Sequence, residues 1–315
     1  MRTTQSFTQQ VKDELCQNQY ESSERLKALL SAYIRINGSM IFQKQQSRLS
    51  LETENARIAK FIYQSINQLY QAGAHLSFYK NQKKKTTYVI TVQEKSEEIV
   101  EDLEISFLEG KISKNIVAND ASIAGYLAGA FLASGSINSP RTSNYHLELS
   151  LNSENYAKWM SHLFARYKNS NIEPKITHRR DKFVIYFKKS DQIANFLIII
   201  GAVEACMEFE NIRVDRDFAN NANRLTNLDT ANMSKIYETA QRQIQEIKVI
   251  DARLGLPNIA NEKLRFLCEI RLENDAASLL ELSLLLSERM NKTVTKSNVN
   301  HLFRAIHQLY ERVNG

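Results

Sequence analysis

Two clusters of basic residues have the types and the spacing for contacts with phosphate groups. They stand at the start of two predicted strands, residues 86–92 and 181–187. The members are Lys80, Lys83, Lys84 and Lys85 in the first cluster and Arg179, Arg180 and Lys182 in the second. A charge run in a hairpin turn is most often simply solvated, but two runs at matching places suit the two phosphate strands of a duplex. We therefore predict phosphate contacts for Lys83, Lys84, Lys85, Arg179 and Arg180, with solvated turns as the alternative.

The last predicted helix, about residues 296–312, carries side chains that could read bases. Its apolar stripe would pack into a core and consists of Val299, Leu302, Phe303, Ile306 and Leu309. The outer side is then left with Lys296, Ser297, Asn300, His301 and Arg304. Asn and Arg pair bidentately with adenine and guanine, and the N-terminal half of a recognition helix is where such contacts occur. We predict DNA contacts for these five residues; the alternative is a plain three-helix bundle that binds a protein.

Residue types that commonly catalyse reactions are scattered along the chain. The six histidines show no H-E-x-x-H spacing, and the nine glycines form no phosphate-binding loop. Cys16, Cys206 and Cys268 lie far apart, without a metal-binding spacing or an even-numbered disulfide framework. We expect no metal, no cofactor and reduced thiols.

Two similar stretches predict the helices at the centre of the fold. Residues 30–38 read LSAYIRING and residues 127–135 read LAGAFLASG, and they align without a gap. Ser31, Ala32, Ala128 and Gly129 then fall at one level, where small side chains would let two helix backbones approach. Gly135 predicts that the second helix ends in the left-handed conformation.

Further matches in the same order indicate an internal duplication. LSLETEN at 49–55 returns as LSLNSEN at 149–155, TTYVITV at 86–92 as DKFVIYF at 181–187, and SEEI at 96–99 as SDQI at 190–193. Repeats of sheet plus helix predict an α+β fold. Chance similarity between amphipathic elements is the alternative.

The remaining pattern divides the chain into three segments. A short helix at 6–16 precedes the first repeat, whose motif helix is followed by a hairpin at 39–52, a helix at 54–72 and strands at 74–79 and 86–92. After residue 222 the pattern is helical, with a long helix capped near Asp229 or Thr230 and ended by Gly255 and Pro257. Helices at 257–272, 278–290 and 296–312 follow, and Ser278 and Glu281 form a capping box. We predict a domain at 1–222 with repeats at about 20–110 and 120–210, a linker helix at 223–256, and a C-terminal domain at 257–315 whose motif covers about 278–311.

Composition favours an ordinary intracellular protein with an anionic partner. Apolar residues make up 43% and charged residues 24% of the chain, and the net charge is +6. Residues 1–222 contribute little of that charge, with 28 Lys and Arg against 24 Asp and Glu. The polar, acid-containing start is unlike a signal peptide, and the longest apolar run, Phe196–Val203, is too short to span a bilayer. We expect a cytoplasmic protein that does not enter a membrane.

The paired stretches resemble the LAGLIDADG motif of homing endonucleases, in which two such helices form the seam of a DNA-binding saddle. In that family each helix places a carboxylate just before its final glycine, and the two carboxylates hold the catalytic metal ions. Asn37 and Ser134 occupy the matching positions here. No Asp or Glu occurs between Glu24 and Glu52 or between Asp120 and Glu148. The resemblance therefore implies a saddle without cleavage chemistry.

A nuclease-inactive saddle followed by a helix-turn-helix unit resembles the WhiA family over essentially the whole chain. The stretches that carry this likeness are SFTQQVKDEL at 6–15, GYLAGAFLASGSINSPRTSNYHLEL at 125–149, NRLTNLDTAN at 223–232 and TKSNVNHLFRAI at 295–306. The resemblance implies a two-repeat α+β saddle, an all-α C-terminal domain, and a nucleoid-associated protein that binds double-stranded DNA. It further implies transcription regulation tied to bacterial cell division and chromosome segregation, with other division or regulatory proteins as further partners.

Three classes of function compete at this point. The favoured one is a non-enzymatic DNA-binding regulator. A metal-dependent endonuclease is opposed by Asn37 and Ser134. The third is an adapter whose saddle binds a protein or small molecule while only the C-terminal domain binds DNA; the modest charge of residues 1–222 keeps this class open.

Overall fold

The chain forms two compact units, Met1–Arg216 and Asp217–Gly315. A computed structural model describes residues 5–43, 46–80, 82, 84–107, 114–142, 144–168 and 170–315. Within these ranges, no helix has both the length and the apolar character that crossing a bilayer requires. The three-part division of the chain stays a prediction, because a single helix runs through residue 222.

The first unit contains two copies of one arrangement of helices and strands. A short helix, α1 (Phe7–Gln17), precedes them. The first copy consists of α2 (Ser23–Asn37), β1 (Gly38–Gln43), β2 (Gln46–Thr53), α3 (Ala56–Tyr70), β3 (His75–Lys80), β4 (Thr86–Val92) and α4 (Ser96–Asp102). The second consists of α5 (Asp120–Ser134), β5 (Gly135–Ile137), β6 (Leu147–Leu151), α6 (Glu154–Arg166), β7 (Lys175–Arg179), β8 (Lys182–Phe187) and α7 (Ser190–Ile200).

Both copies fold their strands into a four-stranded antiparallel sheet with the same order. The orders are β1-β2-β4-β3 and β5-β6-β8-β7. Alternation places one face of each sheet in the core: Leu51 pairs with Ile90, Leu149 pairs with Ile185, and all four side chains are buried. The shared order confirms the internal duplication and the α+β class.

Helices α2 and α5 pack against each other with their backbones in close approach. A Cβ atom on Gly129 would lie 2.1 Å from the carbonyl oxygen of Leu29, and one on Gly125 would lie 2.2 Å from that of Arg25. The predicted helix pairing is confirmed, but Gly129 meets Leu29 instead of Ser31 and Ala32. The hydroxyl of Ser31 donates to the carbonyl of Leu103 at 2.9 Å.

The glycines that end these two helices are not left-handed, so that prediction is wrong. Gly38 has φ −90° and ψ 156°, and Gly135 has φ −73° and ψ 144°, because a strand begins directly at each residue. Glycine is required there for space. An added Cβ would lie 2.4 Å from the carbonyl oxygen of Ile34 at Gly38 and 2.2 Å from the ring of Phe131 at Gly135.

A long helix, α8 (Val203–Leu254), begins in the first unit and is capped by α1. The backbone N–H groups of Glu204 and Ala205 donate to the carboxylate of Glu14 at 2.7 and 2.9 Å. A carboxylate satisfies free N–H groups of a first turn and suits the positive end of a helix. The predicted helix start near Asp229 or Thr230 is wrong, because the hydroxyl of Thr230 donates to the carbonyl of Thr226 inside the continuous helix.

The second unit is entirely helical within its described residues. Gly255 (φ 80°) ends α8, and a 3₁₀ turn at Leu256–Asn258 follows. The remaining helices are α9 (Glu262–Glu273), α10 (Leu279–Met290) and α11 (Lys296–Asn314). The helix predicted from Pro257 begins at Glu262 instead, because the side chain of Asn261 caps it by accepting from the N–H of Leu264. The capping box of Ser278 and Glu281 is confirmed.

Candidate nucleic-acid interface

Helix α11 presents one apolar side to the core of the second unit and one polar side to solvent. Val299, Phe303 and Ile306 are buried, and Leu302 and Leu309 are half-buried, as predicted. The five predicted contact residues are all exposed: Lys296, Ser297, Asn300, His301 and Arg304. Their side chains lie in the first three turns, near the positive end of the helix, where phosphate and base edges are favoured ligands.

The turn between α10 and α11 is fixed by Ser287, a residue outside the predicted contacts. The Ser287 hydroxyl accepts from the N–H of Val294 at 2.8 Å, and Asn291 adopts the left-handed conformation (φ 48°). Asn291 therefore takes the place that glycine often fills at such a turn. Because Ser287 lies on α10 and bonds to Val294 just before α11, it holds the two helices in one relative orientation.

A buried arginine also supports α11, and nothing in its sequence context indicated this. Arg271 is 2% exposed, and its Nη1 donates to the carbonyls of Ala277 and Asn274 at 2.7 and 3.3 Å. Its guanidinium lies 5.5 Å from the ring centre of Phe303 on α11. Burial lowers the pKa of this guanidinium. Arg271 thus ties the loop before α10 to the inner side of α11.

The two basic clusters occupy corresponding hairpins of the duplicated sheets. Lys84 (φ 58°) and Lys85 lie between β3 and β4, and Arg180 (φ 54°) lies between β7 and β8. Arg179 is the last residue of β7. Lys83 lies outside the described residues. The structure brings the clusters to matching places, and their contact with phosphate stays a prediction.

Part of this positive charge is paired with carboxylates. Lys85 lies 3.2 Å from Glu54, and Arg179 lies 3.4 Å from Glu148. Glu148 also accepts a hydrogen bond from Nε2 of His146 at 2.9 Å. Exposed pairs of this kind are weak, so they can open to a phosphate at little cost.

The outer face of the second sheet carries basic residues in addition to the predicted contact Arg179. Register places Glu148 opposite Tyr186 and Arg179 opposite Lys182, so these side chains share the face that points away from the core. Lys188 lies 5.6 Å from the ring centre of Tyr186. Side chains alternate between the two faces along β8, and this alternation places Lys182 on the outer face. The sequence pattern could therefore have added Lys182 to the predicted phosphate contacts.

The helix ends that would carry catalytic carboxylates hold neutral groups with local partners. The amide nitrogen of Asn37 donates to the carbonyl of Ala133 at 3.4 Å, and the hydroxyl of Ser134 donates to that of Ala130 at 3.3 Å. Both are donors here, whereas Mg²⁺ binds oxygen acceptors. Across the described part of the chain, no three His, Cys, Asp or Glu side chains come together as a metal site would require.

Comparison with known proteins gives matches along most of the chain. Three family profiles match the chain: the WhiA N-terminal LAGLIDADG-like domain at residues 23–106, the WhiA LAGLIDADG-like domain at 123–219, and the WhiA C-terminal HTH domain at 222–310. A probable cell division protein WhiA of Limosilactobacillus fermentum is 38% identical over 309 residues, 96% of each chain. Another, of Enterococcus faecalis, is 36% identical over 313 residues, 98% of each chain.

A solved structure has the same fold over its full length. The crystal structure of full-length DUF199/WhiA from Thermatoga maritima has a TM-score of 0.60 and 25% sequence identity, and the match covers 99% of both chains. The duplicated sheets, the central helix pair and the helix-turn-helix unit therefore have a common origin with those relatives. This chain belongs to the WhiA family.

Proposed function

We propose that this protein is a non-enzymatic, nucleoid-associated DNA-binding regulator that acts in bacterial cell division and chromosome segregation. The observation that carries the proposal is the polar side of α11, where all five predicted contact residues are exposed on a helix whose other side is fixed in the core. The names of the relatives, probable cell division proteins, suggest the process in which the protein acts.

The neutral helix ends argue against a nuclease on the same scaffold. Two-metal hydrolysis needs anionic oxygens on both sides of the scissile phosphate. Asn37 and Ser134 supply an amide and a hydroxyl, and each is already bonded to a backbone carbonyl. Binding without cleavage is the activity that these groups support.

Selection of binding sites from a random pool of duplex DNA tests the proposal. The full chain should enrich a defined motif, and Asn300→Ala with Arg304→Ala should lose most of that enrichment. Gln308→Ala is the matched control, because Gln308 is an exposed residue farther along α11. If the wild-type chain enriches no motif, or if the double variant enriches the same one, α11 does not read DNA.

A groove in the first unit favours the adapter as the second candidate function. It is open, has a volume of about 770 Å³, and is lined by β1, α4 and the residues after α4. Its apolar lining consists of Met40, Phe42, Val100, Ile105 and Phe107. In an adapter, Phe42→Ser would abolish function in the cell while leaving DNA affinity unchanged. Loss of function together with loss of DNA affinity would contradict that assignment.

A further inference from the structure

The part of α8 that belongs to the second unit has an unusual amount of exposed surface. Every residue from 217 to 235 is exposed, and Ala240 is the first fully buried residue after that. Phe218 is 79% exposed, Leu225 is 64% exposed and Leu228 is 59% exposed. A helix without tertiary contacts is only marginally stable in water, and large apolar side chains on it indicate a missing partner.

The exposed apolar residues follow the spacing of a coiled-coil seam. Phe218, Asn221, Leu225, Leu228 and Asn232 are separated in turn by three, four, three and four residues. This alternation keeps one stripe of a helix facing a second helix along its length. Met233 and Tyr237 are also exposed apolar residues, but they lie off this stripe.

We propose that this stripe pairs with the same stripe of a second copy of the chain, parallel and in register. In that arrangement Phe218, Leu225 and Leu228 each meet their own counterpart, and each Asn meets an Asn. An amide can hydrogen-bond to an identical amide, and a polar residue in the seam is a known means of fixing register. Antiparallel pairing would place Asn221 against Leu225 in one register and Phe218 against Lys235 in the other, so neither gives every residue of the stripe a like partner.

The charges beside the stripe agree with the parallel pairing. Arg224 precedes Leu225, and Asp229 follows Leu228, which are the two flanking positions that face each other between parallel helices. Arg224 of one copy therefore meets Asp229 of the other, twice per dimer. Toward the first unit, Glu210 and Asp215 occupy the same two flanking positions and would repel each other, so the seam ends near Phe218.

The seam is short, so we expect a reversible dimer that depends on protein concentration. Its consequence for DNA binding rests on the proposed function: a dimer would present two copies of α11 to two half-sites. The dimer itself can be measured without DNA. Failure of the dimer and failure of DNA binding are therefore distinguishable.

Mass measurement by light scattering over a concentration series is the first test. The mass of the full chain should rise from 36.3 kDa toward twice that value as concentration increases. Phe218→Asp with Leu225→Asp should hold the mass at that of the monomer. At low concentration, where wild type is also monomeric, the melting temperatures of the two should agree because both side chains are exposed. The matched control is Met233→Asp with Tyr237→Asp, which changes two exposed apolar residues of the same helix and should leave the dimer intact.

Oxidative cross-linking tests the register. Leu225→Cys should form a disulfide-linked dimer, because Leu225 meets itself only in the parallel arrangement. Tyr237→Cys and the wild-type chain, with Cys206 and Cys268 buried and Cys16 half-buried, should not. A monomeric mass at every concentration together with no cross-link at residue 225 would overturn the proposal, as would a dimer that both double variants retain.

Discussion

The carbonyl oxygen of Leu29 lies 2.1 Å from the point that a Cβ atom on Gly129 would occupy. The two central helices therefore touch through their backbones, and the contact leaves no room for any side chain. Gly129→Leu should destabilise the first unit by at least about 1–3 kcal/mol, as overpacked cores do. Thermal unfolding measures this. Gly73→Ala is the comparison: Gly73 has φ +57° but nothing within 4 Å, so it should cost only the backbone strain. Equal melting temperatures for wild type and Gly129→Leu would contradict the close approach.

The neutral ends of α2 and α5 predict that duplex DNA is not cleaved. Supercoiled plasmid incubated with the full chain and Mg²⁺ or Mn²⁺ should stay supercoiled, because Asn37 and Ser134 cannot replace two metal-binding carboxylates. Gel electrophoresis of the plasmid gives the result. Nicking that survives repurification and disappears with EDTA would mean that other residues hold the metal.

Recognition of bases and binding of phosphates should depend on different residues. Alanine at Asn300 and Arg304 should narrow the difference in affinity between specific and non-specific DNA, since each good base contact contributes roughly 1–3 kcal/mol of discrimination. The dependence on salt should stay nearly unchanged, apart from the single charge of Arg304. A binding titration at several salt concentrations provides both quantities.

Alanine at the two basic hairpins should have the reverse effect. Variants at Lys84, Lys85, Arg179 and Arg180 should bind all sequences more weakly, and the salt slope should flatten by about 0.9 for each lost phosphate contact. Lys85 and Arg179 already pair with Glu54 and Glu148, so we expect smaller losses there than at Lys84 and Arg180. Wild-type binding by all four variants at every salt concentration would favour the adapter.

Because of Lys12, the free energy of unfolding of the first unit should change with pH in the alkaline range. Burial lowers the pKa of Lys12 from 10.5 to about 8, and its Nζ lies 5.8 Å from the ring centre of Phe131. The unfolded chain keeps the higher pKa, so between these values it binds more protons than the folded chain, and stability rises with pH. Below pH 8 the buried charge costs stability in full. Lys12→Met should therefore stabilise the protein at pH 7 by about 1–2 kcal/mol, less than the full shift because a cation–π contact is lost.

Denaturant unfolding at pH 7 and above pH 10.5 checks this dependence. The advantage of Lys12→Met should vanish at the higher pH, where the lysine is neutral in both states. Lys60→Met, at an exposed position of α3, is the control and should show no such dependence. A gain that is equal at both pH values would show that the charge is not the cause.

Local patterns were sufficient to predict the elements whose residues pack in a regular way. The alternation along residues 86–92 and the apolar stripe from Val299 to Leu309 both lie where the sequence placed them. Asparagine caps and the serine capping box also act through neighbours three residues away, which a sequence displays directly.

Features that depend on distant contacts could not be predicted from local sequence patterns. The start of α8 is set by Glu14, which lies 190 residues earlier, and no pattern around residue 203 indicates it. The two motif glycines are extended instead of left-handed because they begin strands, in which Gly38 pairs with Leu51 and Gly135 pairs with Leu149. Arg271 resembles a surface residue in sequence, yet it is buried beneath Phe303.

The bond between Glu14 and the start of α8 also has a consequence for synthesis on the ribosome. The first helix cannot complete its contacts until residue 205 has emerged, which takes on the order of 10–40 s at bacterial rates. Until α5 (Asp120–Ser134) has emerged, α2 also lacks the helix that covers its buried residues, including Leu29 and Ala32. We therefore expect the nascent first repeat to keep apolar surface exposed, and to complete its packing only after the second repeat has been translated.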